Sequence, residues 1–396
     1  MKVVIINATY GIGSTGGLVK DIQEALTKKG DICKIYCGET NDQKEGVTVI
    51  GTKVDHKIHG LLSRLTGLPG YFSYSATKKL LREIGDFNPD VVHLHNLHAN
   101  YINLNELFSF LATNHIKTVV TLHDCFLFTG KCVHYTKSGC HKWQKECGNC
   151  PNLNSGNPIW FCDRTRKMLK DRKKWYSGIT DLTVIGVSDW IINEAKRSVF
   201  KDKAIFQRIY NWIDSNCDGD IQGKNDIKKD GRKIIISVAA IWDDSKGLQD
   251  LIKLSEYLDD EFIIYIVGSC DIQMRRSNIL CLGKIMEKEK LYRLYKSALV
   301  LFHPSLEETF GLIIAEALSV GTPAIVYNST ACPELIGDKC GYIEDPGDVE
   351  AVYNDIKEIA KLGKERYSDS CMSYAGKQFR KEERIDELLS VYRGGC

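Results

Sequence analysis

Short apolar segments alternate with longer amphipathic segments along almost the whole chain. The first apolar segment, 2–7, precedes a stretch in which Leu18, Ile22 and Leu26 fall on one helical face. Gly30 follows at the position where that helix would end. Strand-sized apolar runs that alternate with helices in this way are typical of a parallel sheet covered by helices on both faces.

The alternation is interrupted once, by a polar segment at 214–233, and then starts again. We therefore predict an α/β protein with two Rossmann-like domains that face each other across a cleft. The N-terminal domain is predicted to span 1–212, with a Cys-rich insertion at 125–151, and the C-terminal domain 213–376. Ligands of such sheets bind at the carboxyl ends of the strands, so the loops there are the candidates for chemistry.

The composition is that of an ordinary soluble globular protein, with 43% hydrophobic and 26% charged residues. The 53 basic and 51 acidic side chains nearly cancel, which gives no global reason to expect nucleic-acid binding. The first residues lack the apolar core of a signal peptide, and no apolar run is long enough to span a membrane. We therefore expect a cytoplasmic protein, in which the 15 cysteines are free thiols or metal ligands rather than disulfides.

The segment HPSLEETFGLIIAEALSVGTP is the strongest candidate for chemistry. Glu308 lies in the loop after an apolar run, and Glu316 follows about two helical turns later. A helix that begins near Thr309 or Phe310 would direct its N-terminal amides at an anion such as a diphosphate. Gly311 would let that anion approach the backbone closely. Two glutamates beside a helix are more commonly solvated or capping residues, but the surrounding glycines, strand and turn favour a function here.

This sequence resembles the retaining nucleotide-sugar glycosyltransferases of family four, which have the GT-B fold. The resemblance rests on the Glu-x7-Glu pattern with Gly-Thr-Pro behind it, on the two glycines that open the first helix, and on IYNWID and DDSKGLQDLI in the places of two family motifs. It extends over essentially the whole chain. The segments PDVVHLHNLH and TLHDCFLFTGKC resemble the subgroup that builds bacterial capsular and exopolysaccharides. The resemblance implies that the final helix, 377–396, crosses back to the N-terminal domain.

The resemblance also implies roles on the donor side. Glu308 would lie near the donor sugar and phosphate, Glu316 would hold the ribose hydroxyls, and Lys246 would neutralise the diphosphate. Further donor contacts are implied for Gly16, Gly17, Gly283, Lys284, Ile285, Thr309, Phe310 and Gly311. The family has an Arg a few residues before the position of Lys246, and this sequence has none there. Arg275 or Arg276 could supply that second cation.

The N-terminal domain supplies the remaining candidates. His123 ends a strand, and the family's His at this place contacts the donor sugar, so it joins Glu308 and Lys246 as a predicted catalytic residue. Acceptor-side roles are predicted for His95, Asn96 and Asp124. Because the departing phosphate oxygen can take the acceptor proton, we assign no covalent nucleophile and expect no cofactor for catalysis.

Two other patterns could indicate a metal. His93, His95 and His98 are closely spaced, but no carboxylate completes an evident site, and we favour packing and substrate contact. Asp218 and Asp220 fit an Asp-x-Asp motif formally, but they lie in a polar linker rather than at a strand end. We interpret this second pattern as coincidence.

The cysteine-dense segment GKCVHYTKSGCHKWQKECGNCP follows a strand-end loop of the N-terminal domain. Its C-x7-C-x6-C-x2-C spacing is not that of a standard zinc finger, but C-x2-C is a common half of a tetrahedral zinc site. We predict a closed structural zinc site that staples the loop, with unpaired thiols or disulfides as the alternative. The predicted ligands are Cys132, Cys140, Cys147 and Cys150, with His134 and His141 in reserve.

The segment 56–82 mixes Leu, Phe and Tyr with Lys, Arg and His. In the family this region faces the acceptor or the membrane, so it could bring the enzyme to a polyprenyl-linked acceptor at the inner face of the cell membrane. The alternative is a helix-loop-helix packed on the domain with solvated charges. Because the chain as a whole is nearly neutral, both interpretations stay open.

We therefore expect a retaining enzyme that moves a hexose-type sugar from a UDP- or GDP-sugar to a glycan or polyprenyl-linked acceptor in bacterial surface polysaccharide biosynthesis. The alternatives are a sugar-nucleotide epimerase of the same two-domain shape and a sugar-nucleotide-binding or zinc-bearing protein without turnover. Release of nucleoside diphosphate on addition of acceptor would indicate the transferase. Interconversion of donors without acceptor would indicate the epimerase.

Overall fold

The chain forms two compact units in the computed structural model, which describes residues 1–42, 44–214, 231–270 and 277–395. The units are Met1–Ile209 together with Ile385–Cys396, and Tyr210–Arg384. The domain limits taken from the sequence, 212/213 and 376/377, lie three and eight residues from these divisions.

The first unit is built on strands β1 (Lys2–Tyr10), β2 (Ile32–Thr40), β3 (Val47–Val49), β4 (Val91–Leu94), β5 (Lys117–Leu122), β6 (Leu182–Gly186) and β7 (Ile205–Arg208). These strands form one parallel sheet in the order β3-β2-β1-β4-β5-β6-β7. The helices are α1 (Gly13–Lys28), α2 (Lys53–Thr66), α3 (Tyr74–Phe87), α4 (Leu104–Thr113), α5 (Thr165–Ser177) and α6 (Asp189–Lys196). A short 3-10 helix spans Lys142–Gln144.

The apolar runs in the sequence become central strands because helices cover both faces of a parallel sheet. In β1, the residues from Val3 to Ile6 have no exposed surface. The register sets Leu94 of β4 beside Ile6 of β1 and Val120 of β5. The residues just beyond these positions therefore gather at one edge of the sheet.

The second unit is built on strands β8 (Lys233–Ile241), β9 (Phe262–Ser269), β10 (Ile279–Gly283), β11 (Val300–His303), β12 (Ala324–Tyr327) and β13 (Gly341–Glu344). They form a parallel sheet in the order β10-β9-β8-β11-β12-β13. Its helices are α7 (Leu248–Tyr257), α8 (Lys288–Ser297), α9 (Leu312–Ser319), α10 (Val349–Leu362) and α11 (Glu365–Gln378). Short 3-10 helices span Asp244–Lys246 and Cys332–Leu335.

The last helix, α12 (Lys381–Tyr392), confirms the predicted return of the chain to the N-terminal domain. Its residues from Ile385 onward belong to the first unit. Leu388, Leu389 and Tyr392 are buried there, and the Tyr392 hydroxyl lies 2.6 Å from Nδ1 of His93. Across the described parts of the chain, no helix combines the length and the apolar composition needed to cross a membrane.

Candidate active site

Polar residues collect at the carboxyl ends of the strands in both units, and each unit is described by itself. In the second unit, the loop after β8 positions Lys246. The Asp243 carboxylate accepts hydrogen bonds from the backbone N–H groups of Ser245 and Lys246, at 2.8 and 3.2 Å. Gly247 then takes a left-handed conformation with φ of 73°, and a Cβ there would lie 2.3 Å from the carbonyl oxygen of Pro304. Only glycine lets this loop pack against the loop after β11.

Lys246 and Glu308 form the central pair of this edge. The Lys246 ammonium donates to Glu308 Oε1 at 2.6 Å, and the two side chains keep 27% and 19% of their surface exposed. His303, the last residue of β11, has its Nε2 at 3.3 Å from the same oxygen, close enough for an ion pair but not aligned as a hydrogen bond. Burial acts to raise the pKa of Glu308, but the contact with His303 and the charge of Lys246 hold it well below its ordinary value.

The backbone around Glu308 is fixed by two further contacts. Its N–H donates to Thr330 Oγ1 at 2.9 Å, and the N–H of Leu306 donates to the carbonyl of Ser245 at 2.8 Å. The pair is therefore held between two loops that are bonded to each other. An ionised carboxylate and an ammonium, both still reachable by solvent, could bind sugar hydroxyls and phosphate oxygens respectively.

Glu316 lies on α9 in a different environment. It is 8% exposed, and the hydroxyl of Tyr295 donates to its Oε2 at 3.3 Å. Burial raises its pKa from 4.5 to about 7, although the charge of Lys288 opposes the shift. The helix begins at Leu312, because Gly311 has a φ of 94°, so the predicted start near Thr309 or Phe310 is wrong.

Two other predicted donor residues, Phe310 and Thr309, have little exposed surface. Phe310 is 2% exposed and its ring packs against Tyr210 and Phe379, with centroids 5.7 and 5.6 Å away. Its side chain belongs to the core, so a donor contact there would come from the backbone. Thr309 is also buried.

The predicted donor residues at the end of β10 lie three strands along the sheet from β11. Gly283 has a φ of 68°, and Gly283 and Lys284 are exposed, whereas Ile285 is half-buried. Arg275 and Arg276, considered for the second cation, and the motif from Asp218 to Asp220 lie outside the described residues.

In the first unit, the two glycines at the start of α1 serve different purposes. The N–H of Gly11 donates to the carbonyl of Gly16 at 3.0 Å, and a Cβ on Gly16 would lie 2.8 Å from Thr9 Oγ1. Gly16 is therefore needed for packing within the turn. A Cβ on Gly17 would meet no atom within 4 Å, so Gly17 leaves space beside the first turn of the helix.

Three histidines stack at the ends of β4 and β5. His93 lies between the Tyr392 and Thr121 hydroxyls, at 2.6 and 2.8 Å, and His95 Nδ1 lies 2.9 Å from His123 Nε2. The rings of His95 and His123 are parallel, with centroids 5.2 Å apart. Burial lowers the pKa of His123 to about 4 and holds that of His95 well below its ordinary value, so both rings are neutral near pH 7.

The acceptor-side role of His95 stays a prediction. The residue is 2% exposed, and its Nδ1 contacts His123. Asp124 is also buried and accepts from the N–H of Phe126 at 2.7 Å, with His98 Nε2 at 3.0 Å. Burial opposes the ionised form of Asp124, but His98 lowers its pKa. The side chain of Asn96 is half-buried, and its backbone N–H donates to Asn7 Oδ1.

The zinc prediction is not confirmed. In residues 1–42, 44–214, 231–270 and 277–395, no group of three His, Cys, Asp or Glu side chains could hold a metal ion. The four predicted ligands nevertheless line one small cavity, and the Cys132 thiol donates a hydrogen bond to the Cys150 sulfur, which lowers the pKa of Cys150. The loop is held by the buried Lys131 ammonium, which donates to three backbone carbonyls. These belong to Asn152, Leu153 and Ser155, at 2.8, 2.7 and 2.9 Å.

Two site residues were missed by the sequence analysis. His303 contacts Glu308, and the hydroxyl of Tyr295 contacts Glu316. The signal for His303 was present, since it opens the segment HPSLEE at the end of an apolar run. Tyr295 lies on α8, and nothing in its local sequence indicates that it reaches Glu316.

The solved structures that are similar to this chain include glycosyltransferases. A glycosyltransferase from Rickettsia africae is similar with a TM-score of 0.69 and 14% identity, over 99% of this chain and 98% of that one. The Anabaena protein HepE, in complex with UDP, is similar with a TM-score of 0.67 and 13% identity over 100% of both chains. These similarities confirm the predicted GT-B fold.

The family follows from the sequence itself. The model described as Glycosyltransferase Family 4 matches residues 17–216, and the model described as Glycosyl transferases group 1 matches 220–378. The chain therefore belongs to Glycosyltransferase Family 4, whose members act without a metal cofactor. It is 22% identical over 422 residues to the putative colanic acid biosynthesis glycosyl transferase WcaC of Escherichia coli, covering 99% of this chain and 100% of that protein.

Proposed function

We propose that this enzyme transfers a hexose-type sugar, with retention of anomeric configuration, from a nucleoside-diphosphate sugar to a glycan or polyprenyl-linked acceptor in bacterial surface polysaccharide biosynthesis. The single observation that carries the proposal is the Lys246–Glu308 pair at the strand ends of the second unit. The similarity to WcaC over nearly the whole chain supports the polysaccharide role. The complex of HepE with UDP favours UDP over GDP in the donor. We place the reaction in the cytoplasm, where the donor would bind without a metal.

The chemistry requires that negative charge be stabilised as the sugar leaves. The bond between the anomeric carbon and the diphosphate oxygen breaks, the acceptor oxygen bonds to that carbon on the same face, and the acceptor proton passes to the departing phosphate oxygen. In this proposal Lys246 binds the diphosphate and stabilises its developing charge. Glu308, kept ionised by its neighbours, accepts hydrogen bonds from sugar hydroxyls and stabilises positive charge on the sugar ring.

The remaining residues would bind and orient the donor. Glu316 would accept hydrogen bonds from the ribose hydroxyls once it is ionised, and its pKa of about 7 makes this contact dependent on pH. His123, held neutral by burial and oriented by His95, would hydrogen-bond to a sugar hydroxyl. Gly17 leaves backbone accessible to the donor, whereas Gly311 is buried.

A transfer assay tests the proposal. Purified enzyme is incubated with UDP- and GDP-sugars, with and without polyprenyl-linked acceptors, and the nucleoside diphosphate and the anomeric configuration of the product are measured. We expect acceptor-dependent release of UDP, a retained configuration, and full activity in EDTA. Lys246→Ala and Glu308→Gln should lose at least about 100-fold in kcat/KM, while Lys253→Ala, on the same unit, should not.

Interconversion of donors without acceptor would instead identify an epimerase. Nucleotide binding without any turnover would identify a binding protein. Unchanged transfer by both Lys246→Ala and Glu308→Gln would refute the site assignment while leaving the family membership intact.

A further inference from the structure

The Asp214 carboxylate joins the starts of two helices in the second unit. Lys288, the first residue of α8, pairs with its Oδ2, and Lys381, the first residue of α12, donates to its Oδ1 at 3.2 Å. The preceding residue is also fixed, because the N–H of Ile213 donates to the carbonyl of Phe379 at 3.0 Å. Burial acts to raise the pKa of Asp214, but the two lysines hold it below its ordinary value. Asp214 is therefore ionised near neutral pH.

Helix α8 also carries the hydroxyl that contacts Glu316. Tyr295 donates to Glu316 Oε2 at 3.3 Å, and α8 packs against α9, on which Glu316 lies. Lys288 and Tyr295 are seven residues apart, which is about two helical turns, so they lie on the same face of α8. The ion pair of Lys288 and Asp214 is thus attached to the helix that contacts the buried carboxylate.

The two members of this ion pair act on Glu316 in opposite directions. Burial raises the pKa of Glu316 to about 7, the ammonium of Lys288 opposes this shift, and the carboxylate of Asp214 adds to it. A change to one member alone would therefore alter the charge that Glu316 carries near neutral pH. Removal of the cation would favour the protonated form, and removal of the anion would favour the ionised form.

Other elements that pack against α9 are α11, β11, β12 and the 3-10 helix Cys332–Leu335. Titratable side chains on or beside them are Lys364, Lys377, His303, Tyr327 and Glu334. Within the described parts of the chain, none of these groups contributes to the shift of Glu316. The contributions come from burial, Lys288, Tyr295 and Asp214, in decreasing order.

We propose that Lys288 and Asp214 are positioning residues for the nucleotide, because their ion pair controls the charge that Glu316 presents to the donor ribose. Lys288 would favour the ionised carboxylate, which accepts hydrogen bonds from ribose hydroxyls. Asp214 would limit this effect by pairing with the same ammonium. The inference rests on the proposed role of Glu316 in donor binding, and it adds a control by charge to that role.

The alternative is an ion pair that only holds α8 in place. Lys288 and Asp214 keep 51% and 35% of their side-chain surface exposed, and ion pairs this exposed usually contribute little stability. Under this alternative, neutralising either residue would loosen α8 and weaken nucleotide binding in both cases. Control by charge instead requires effects of opposite direction, since the two residues have opposite charges.

The ionisation of Glu316 can be measured without any substrate. Free energies of unfolding are obtained from urea titrations between about pH 5 and about pH 9, with and without Glu316→Gln in each background, so that their difference isolates the Glu316 proton. We expect Lys288→Gln to move the midpoint of this difference up by about 0.5 pH unit, and Asp214→Asn to move it down by about as much. Lys288→Arg, which keeps the charge, should retain the wild-type midpoint. Lys296→Gln, the same change of charge on the last turn of α8, is the matched control and should also retain it.

Binding of UDP tests the consequence for the nucleotide. Its affinity is measured by calorimetry near pH 6, where Glu316 of the wild type is mostly protonated. Lys288→Gln should weaken binding about threefold, and Asp214→Asn should strengthen it about threefold, each relative to the wild type under the same conditions. Lys296→Gln should bind as the wild type does.

Three results would overturn the inference, and a fourth concerns the donor site. Midpoints that do not move, midpoints that move in the same direction for Lys288→Gln and Asp214→Asn, or an equal movement in Lys296→Gln would each exclude control by this ion pair. If the midpoints separate as expected but the affinity for UDP does not follow, Glu316 does not bind the nucleotide. That result would refute the proposed donor role of Glu316, and with it the role of the ion pair in positioning the nucleotide, while the control of its charge would stand.

Discussion

The Lys246–Glu308 pair can be tested by its contribution to stability before any substrate is known. Two unit charges 2.6 Å apart attract by about 6 kcal/mol at an effective dielectric constant of about 20. Solvent reaches both side chains, and the cost of desolvating the charges opposes the attraction. We therefore expect a net coupling of about 1–3 kcal/mol, the range of hydrogen bonds to charged groups.

A double-mutant cycle measures this coupling directly. Lys246→Met and Glu308→Gln are made singly and together, and the free energy of unfolding is obtained from urea titrations followed by tryptophan fluorescence. Trp242 is buried just before the Lys246 loop and reports on this unit. Each single variant leaves its partner uncompensated, so the double variant should lose less stability than the sum of the two.

A surface ion pair of the same unit provides the control. Lys253 Nζ and Asp250 Oδ1 are 3.7 Å apart, with Lys253 62% exposed, and their coupling should stay below about 0.5 kcal/mol. If the Lys246 and Glu308 changes are additive to within about 0.5 kcal/mol, the pair is not held as described. Lys246 would then not be the cause of the low pKa of Glu308.

The remaining predictions concern pH, backbone and metal. Burial raises the pKa of Glu316 from 4.5 to about 7, so between these pH values the folded state keeps a proton that the unfolded state releases. The free energy of unfolding should therefore fall by about 3 kcal/mol as the pH rises from 4.5 to 7. Thermal melts of Glu316→Gln should lack this slope, and an equal slope would contradict the assignment. Gly247→Ala should lower the free energy of unfolding by at least about 2 kcal/mol, because its Cβ would meet a backbone oxygen. Gly347→Ala, with a similar φ and open space around it, should lower it by only about 1 kcal/mol. Equal melting points of the two variants would refute this. His123 should contribute no ionisation to the pH dependence of kcat/KM between pH 6 and 8, and a limb there that His123→Asn removes would contradict its pKa of about 4. Metal analysis of protein purified without chelator tests the zinc prediction: stoichiometric zinc that is lost in Cys132→Ser would establish the site, and zinc-free protein would refute it.

The architecture was predictable because it depends on local pattern. Apolar runs of strand length, each followed by an amphipathic helix, became the two parallel sheets. The start of α9 was not predictable from pattern, because the sequence does not state that Gly311 adopts a φ of 94°. Phe310 was assigned to the donor site from the family resemblance, but its ring completes an aromatic cluster with residues about 70 and 100 positions away.

For the histidines and cysteines, too, the sequence predicted positions along the backbone but not the contacts of the side chains. The alternation of a strand predicts that His93 and His95 share one face, and their rings are neighbours, tilted by 40° with centroids 4.0 Å apart. It could not show that His95 Nδ1 would lie 2.9 Å from His123 Nε2. Four cysteines in 19 residues suggested a metal, but spacing does not fix the direction of thiols in an irregular loop held by Lys131.

The two glutamates of the Glu-x7-Glu pattern show why the site had to be described in three dimensions. They are the same residue type, eight positions apart, yet their pKa values move in opposite directions. Both are desolvated, and Glu308 alone has a cation within 2.6 Å. Glu308 is therefore ionised near neutral pH, which the proposed reaction requires of a residue beside a developing positive charge. Glu316 changes charge near neutrality, so in the proposed reaction the affinity for the nucleotide, rather than the rate of transfer, would respond to pH. We expect the KM for the donor to rise below pH 7 while kcat stays level. A kcat that falls while KM stays constant would instead assign the pH-dependent group to the transfer step rather than to nucleotide binding.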